Sequence, residues 1–352
     1  MDISKIDKNF KVDNTVRRDG WVYYPIDQPP FKIYGLIKED GIYKRMPQSV
    51  ADSVNTGVAA LTRCSAGGRV RFVTDSKDIA ISVKYNEIPT SGNMSLVGFA
   101  GLDMYEETDS GVTYVFSAVP PADIKKELNS VKEFSEHKMR RLLINFPTYS
   151  SVKEILIGLR EGSNVYPPSE YAVSKPVVFY GSSITQGGCA SRPGNTYQAI
   201  LSAQLGFDYI NLGFSGNAKG EDAIARYIAA LDMSAFVYDY DFNAPDSQHL
   251  EATHKRMFDI IRDKNPDLPI LILSRPNPHL SAGAIERREI TRATYEAAVK
   301  AGDKNVYFIP GDELILPMFS ETALVDDAHP NDSGFVSMAE VIKPILKKML
   351  DI

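Results

Sequence analysis

The sequence predicts two domains of different class, an all-β sandwich followed by an α/β domain on a parallel sheet. Three observations carry that expectation. The first half alternates apolar and polar residues at period two, as half-buried strands do, whereas the second alternates short, uniformly apolar runs with amphipathic stretches at helical spacing. Between them, the segment 162–169 (GSNVYPPS) holds two successive prolines, which lack N–H donors and favour an extended connector. The length of 352 residues allows two domains or one large one. The expected division is a β-module over 1–165, a linker over 166–174 and an α/β domain over 175–352.

In chain order, the strand candidates of the first half are 20–25, 31–35, 70–74, 79–85, 113–117, 141–146 and 154–159, with almost no helical periodicity among them. Trp21 and the tyrosines beside it are expected in the sandwich core. The second half opens with Val177-Val178-Phe179-Tyr180, and further apolar runs follow at 208–212, 235–240, 269–273 and 306–309. Helices are expected near 197–205, 221–231, 248–264 and 284–301, and after 333, where Pro344 should kink the last helix or mark a late start. Uniformly apolar strands imply a parallel sheet covered on both faces, with ligands at the carboxyl ends of its strands.

Composition narrows the function. Lys+Arg 39 against Asp+Glu 45 gives a net charge of -6, so no basic surplus exists to drive binding to nucleic acid or anionic lipid. Cys64 and Cys189 belong to no metal or redox motif, and a bridge between them has no support in the sequence. Met1 to Phe10 holds no apolar stretch of signal-peptide length, and no later segment reaches membrane-span length. The chain as written is therefore expected in the cytoplasm, although one trimmed of a signal would read the same.

Chemistry gathers in the loops after the apolar runs of the second half. Gly181-Ser182-Ser183-Ile184-Thr185 follows the first and Gly213-Phe214-Ser215-Gly216 the second, Asn243 follows the third, and Asp326 to Pro330 precedes the last helix. Together these put a serine, amide donors, a carboxylate and an imidazole on one rim, the set that acyl transfer needs. Ser183 is the candidate nucleophile and His329 its general base. Asp326, three positions before the histidine, would accept from Nδ1–H and fix the tautomer. Asp327 competes for that role. The oxyanion donors are expected to be the backbone N–H groups of Ser183 and Gly216 and the side-chain amide of Asn243. His137, His249, His254 and His279 have no partner pattern and read as surface or structural residues, and the five histidines form no metal set.

At these residues the sequence resembles the SGNH hydrolase (GDSL-like lipase/acylhydrolase) superfamily, whose four blocks contribute Ser, Gly, Asn and His in this order. Ser182 stands where the family usually has Asp, and residues 239–243 lack the usual Gly-x-Asn-Asp form. Upstream, Gly101-Leu102-Asp103-Met104-Tyr105 is similar to the Gly-x-Asp-Leu-Tyr signature of an N-terminal module found in a subset of these esterases, and its Asp103 and Tyr105 either brace that module, the preferred reading, or help line the substrate cleft. The resemblance implies a flavodoxin-like α/β/α hydrolase domain behind a jelly-roll-like sandwich. It further implies a Ser-His-Asp triad without metal or other cofactor, and hydrolysis of a short-chain ester such as an acetylated sugar. The expected partner is thus a small-molecule or oligosaccharide acyl ester, with no nucleic acid and no membrane; self-association into a homo-oligomer stays open.

Other readings are weaker on detail. A dinucleotide fold fails because 213–220 (GFSGNAKG) is not G-x-G-x-x-G. An α/β-hydrolase elbow would need a glycine where Thr185 stands. A non-catalytic carbohydrate-binding protein would not need Ser183, Asp326 and His329 intact, and a lipase or thioesterase on a non-sugar substrate shares the same chemistry.

Overall fold

The computed structural model describes residues 15–89 and 91–352; Met1 to Phe10, read above for a signal, lies outside them. The first half runs β1 (Val16–Arg18), β2 (Trp21–Pro25), β3 (Lys32–Tyr34), β4 (Ile37–Glu39), β5 (Ile42–Lys44), α1 (Gln48–Val54), α2 (Thr56–Leu61), β6 (Arg69–Thr74), β7 (Asp78–Glu87) and α3 (Leu96–Ala100). It continues with β8 (Leu102–Thr108), β9 (Gly111–Ala118), β10 (Glu127–Glu133), β11 (Arg140–Asn145), β12 (Ser151–Arg160) and β13 (Val165–Tyr166). Two large antiparallel sheets form, one ordered β1-β2-β12-β7-β10 and the other β13-β6-β11-β8-β9, with β3 also on β6, and β4 and β5 pair as a separate two-stranded ribbon. Period-two alternation explains the packing. Ile79, Ile81 and Val83 of β7 turn inward against Val70 and Phe72 of β6 and Leu142 and Ile144 of β11, and each such side chain stabilises the fold by roughly 1.5–3 kcal/mol when fully buried.

Three details differ from the sequence expectation. Trp21 is only half-buried and lies outside the sandwich core, with the guanidinium of Arg160 4.0 Å from its ring centre. Tyr166, expected in the linker, pairs with Val73 as the end of β13. Helices α1 to α3 interrupt what reads as an all-β half. Helices α1 and α2 are too short to be stable alone, and they hold because Ala51 and Val58 enter the same apolar cluster as Ile224 and Ala225 of the second half.

The second half runs β14 (Val173–Gly181), α4 (Ser183–Gln186), α5 (Tyr197–Leu205), β15 (Phe207–Gly213), α6 (Asp222–Ala229), β16 (Ala235–Asp239) and α7 (Ser247–Lys264). Then come β17 (Ile270–Leu273), α8 (Ala282–Lys300), β18 (Val306–Ile309) and α9 (Asp332–Leu350). The last helix starts at Asp332 and runs through Pro344, so the proline marks no late start. The five strands are all parallel, in the order β15-β14-β16-β17-β18, which is the 2-1-3-4-5 order of flavodoxin-like sheets. Alternation along β14 sends Val178 and Tyr180 into the cluster beneath α6 and α7, and Val177 and Phe179 into the cluster beneath α5 and α9. The result is three layers, α/β/α. No helix among the described residues is long and apolar enough to cross a membrane.

Candidate active site

Interior strand β14, between β15 and β16, delivers Ser183. Its last residue, Gly181, has no room for a side chain, because a Cβ there would strike the carbonyl of Asp239 and the hydroxyl of Thr185. Ser182 then caps the single turn of α4, its hydroxyl accepting from the N–H of Ile184 at 3.2 Å. Gly187 ends that turn at φ +100°, a left-handed conformation that favours glycine. Ser183 thus sits at the first position of α4, where its own N–H has no intrahelical partner.

The next loops pack against this turn. A Cβ at Gly213 would collide with the backbone of Thr185 and Gln186, so the glycine lets β15 close on α4. The N–H of Ser215 donates to Gln186 Oε1 at 3.0 Å, which aligns the loop carrying Gly216, and Gly216 adopts φ +68° with no hydrogen-bond partner for its N–H among the described residues. Asn243 follows β16; its Oδ1 accepts from the N–H of Ala218 at 3.4 Å, orienting the amide and leaving Nδ2 free of protein partners among the described residues.

His329 stands just before α9, which Asn331 caps through the N–H groups of Ser333 and Gly334. Its Nε2 lies 2.9 Å from Ser183 Oγ, and its Nδ1 lies 3.1 and 3.0 Å from the two oxygens of Asp326. The Asp326 Oδ1 also accepts from the backbone N–H groups of His329 at 2.7 Å and Ala328 at 2.9 Å. Burial alone would push this carboxyl up, but those hydrogen bonds and the imidazole beside it hold it well below the usual carboxylate range. An ionised acceptor at Nδ1 places the proton on that nitrogen and leaves Nε2 as the acceptor facing Ser183. The carboxylate of Asp327 does not reach the histidine; its carbonyl instead accepts from Asn277 Nδ2 at 3.1 Å and from the Arg275 guanidinium.

The site draws on residues that sequence reasoning missed. Asn93, from the loop before α3, donates through Nδ2 to Asp326 Oδ2 at 3.2 Å across 233 positions of sequence. Gln186 Nε2 reaches the carbonyl of Thr148 in the first half at 3.3 Å. Arg45 is buried and donates to the carbonyls of Gly213 and Leu61, the latter at 2.6 Å; burial lowers it to about 10, so it stays charged at neutral pH. None of these has a local sequence signal, because each becomes meaningful only through a contact distant along the chain. Beneath the serine turn, Thr185 donates to Asp239 Oδ2 at 2.7 Å, and burial raises that carboxyl to about 7.

Asp103 and Tyr105 brace, as expected, and do so between the two halves. Asp103 is fully buried and accepts from Asn145 Nδ2 at 3.0 Å, Gly194 N–H at 2.8 Å and Arg192 Nη1 at 3.1 Å, while Tyr105 also contacts Arg192. The two cysteines are free thiols. His254 is buried against Tyr238 with Nδ1 2.7 Å from Thr294 Oγ1, a structural position whose burial lowers it to about 3. His249 Nε2 meets the carbonyl of Lys219 at 2.9 Å.

Residues 174–347 match the GDSL-like lipase/acylhydrolase family, and residues 21–165 match the GxDLY N-terminus of SGNH-hydrolase-type esterases. A Bacteroides ovatus protein described as a GDSL-like lipase superposes with a TM-score of 0.84 at 28% identity, over 94% of this chain and 98% of that one. The salicylyl-acyltransferase SsfX3 of a tetracycline biosynthetic pathway gives 0.76 at 21% identity, over 95% and 98%. An acetyl xylan esterase from Butyrivibrio proteoclasticus gives 0.62 at 13% identity, over 95% and 99%, and shares the fold. No curated protein matches the sequence. With the two family matches following one another over 21–165 and 174–347, the chain belongs to the GDSL-like lipase/acylhydrolase family of SGNH-type hydrolases and carries the GxDLY N-terminal module.

Proposed function

We propose that the protein is a serine esterase that removes short-chain acyl groups, O-acetyl foremost, from a carbohydrate. The observation that carries this reading is the continuous chain from Ser183 Oγ through His329 to Asp326, at 2.9 Å and 3.0 Å. In this scheme Ser183 Oγ attacks the ester carbonyl carbon while His329 Nε2 takes its proton and Asp326 stabilises the imidazolium. The N–H groups of Ser183 and Gly216 and the Asn243 amide receive the negative charge on the carbonyl oxygen. Collapse breaks the bond to the leaving oxygen, and His329 returns the proton to the departing alcohol. Water, deprotonated by the same nitrogen, then attacks the acyl-enzyme; expulsion of Ser183 Oγ, reprotonated by His329, releases the acid. The carbohydrate part of the proposal is supported by fold neighbours that include the acetyl xylan esterase and a family two carbohydrate esterase from Clostridium thermocellum.

On 4-nitrophenyl acetate, Ser183→Ala is expected to abolish turnover, and equal turnover by variant and wild type would sink the assignment. Asn243→Ala should lower kcat by about 10²-fold with little change in KM; an effect on KM alone would make Asn243 a substrate-positioning group instead.

A further inference from the structure

Beside the catalytic loops, at the carboxyl ends of β16 and β17, lies a cavity of about 240 Å³ walled by Asp241, Phe242, Arg275, Arg287 and the first turn of α8. It shares its walls with the catalytic loops. Phe242 directly precedes Asn243, and the Arg275 guanidinium donates to the carbonyl of Asp327, between Asp326 and His329. Arg275 lies 4.1 Å from the ring centre of Phe242, and its Nε is buried without a partner among the described residues. Arg287 donates through Nη1 to the carbonyls of Asp241 at 2.9 Å and Ala244 at 2.8 Å. The hydrogen bonds of both guanidiniums thus go to backbone carbonyls, and neither guanidinium forms an ion pair with a carboxylate among the described residues.

The rest of the wall adds to this positive character. Ser281 caps α8, its hydroxyl accepting from Ala284 N–H at 3.3 Å, so the N–H groups of Ala282 and Gly283 open the helix without intrahelical partners, at its positive end. Asp241 is the one acid in the wall, and its Oδ2 is already engaged by the backbone N–H of Arg275 at 2.9 Å. Burial raises this carboxyl to about 6, a measure of how poorly water reaches it. Glu286 and Glu289 of α8 face a different groove, with Ser247 and Glu251. The cavity wall itself therefore holds two guanidiniums and a helix start against one carboxylate, with Asp326 and Asp327 close to Arg275 outside it, in a space smaller than a whole ligand pocket and suited to one substituent of a substrate.

We propose that this cavity is a subsite for a carboxylate carried on the alcohol half of the ester, so that the preferred substrate is an acylated acidic sugar of the uronate type. The alcohol half is the part that would lie there, because Arg275 of the cavity wall holds the carbonyl of Asp327 in the loop bearing His329, which returns the proton to the leaving oxygen. A planar carboxylate matches the fork of a guanidinium. The inference rests on the esterase reading above, so its test separates the two.

Acetate release is compared on two mono-acetates, methyl glucuronoside and methyl glucoside, which differ only in the carboxylate. The acidic ester should be favoured by about tenfold or more in kcat/KM, and the preference should weaken as salt is raised. Arg287→Gln should bring the ratio of the two rates close to one, and Arg287→Lys, which keeps the charge but not the fork, should retain only part of the preference; because each ratio is taken within one variant, a general loss of activity or stability does not move it. Equal rates in the wild type, or a preference that survives Arg287→Gln, overturns the subsite while Ser183-dependent turnover of 4-nitrophenyl acetate leaves the esterase reading intact. If neither sugar ester is hydrolysed, calorimetric titration of Ser183→Ala with methyl glucuronoside and methyl glucoside decides. Binding of the acid alone, lost when Arg287→Gln is added, upholds the subsite without hydrolysis; equal binding of both, or of neither, overturns it.

Discussion

Asp326 receives more hydrogen bonds than orientation of the imidazole alone requires, and one of them comes from the other half of the molecule. The Asn93 amide reaches Oδ2, the backbone N–H groups of His329 and Ala328 reach Oδ1, and the histidine spans both oxygens. Removing one donor to an anion leaves the carboxylate freer to turn away from Nδ1. Asn93→Ala is therefore expected to lower kcat on 4-nitrophenyl acetate by roughly 2- to 10-fold with KM unchanged, since the bond is partly exposed and only the positioning of the base is affected. An unchanged kcat would reduce Asn93 to a surface contact. At this scale the sequence was most legible where chemistry is local. The spacing of Asp326 to His329 is enough to suggest their contact, and the structure brings them together. Asn93 was illegible because nothing within its Ser-Gly-Asn-Met loop refers to a carboxylate so far along the chain.

Elements read well where periodicity is strong. The helix expected over 197–205 and the strand expected over 306–309 have those bounds, and Val177 to Tyr180 of β14, Ala235 to Tyr238 of β16 and all of β17 are apolar because both faces of a parallel sheet are covered. Helices α1 and α2 escaped notice because seven and six residues give too few turns for a stripe to show, and their stability is tertiary. Strand β16 has a titratable consequence. Its last residue, Asp239, ends under the serine turn with its carboxyl raised to about 7 by burial. In the folded state it holds a proton that the unfolded chain releases near its ordinary value, so between about pH 4 and 7 the native state binds more protons and stability falls as pH rises. Asp239→Asn keeps an acceptor for Thr185 and removes the cost of burying a charge. The variant should melt at least ~2 °C above wild type at pH 8, with the gap closing towards pH 5; a gap independent of pH would show that Asp239 stays ionised throughout.

The whole molecule divides less cleanly than its sequence. Period and composition change between 162 and 175, yet Met46, Ala51 and Val58 from before that point lie in the core beneath α6 and α7, and Arg45 donates to the end of β15. Buried contacts of this kind couple the halves, so calorimetry should give one unfolding transition, and a fragment of residues 170–352 should fail to unfold cooperatively; two resolved transitions in the intact chain would contradict this. The domain change was legible because strand and helix periods differ, whereas the shared core was not, since an apolar residue on a short helix does not declare which core it enters. The order of the site along the chain carries one more consequence. Asn93 is synthesised first, Ser183 next, and His329 follows the serine by 146 positions. A ribosome therefore exposes the nucleophile long before its base, and the growing polypeptide carries an inert serine until the closing helix docks, so that under the proposed mechanism a stalled translation product could not deacylate anything.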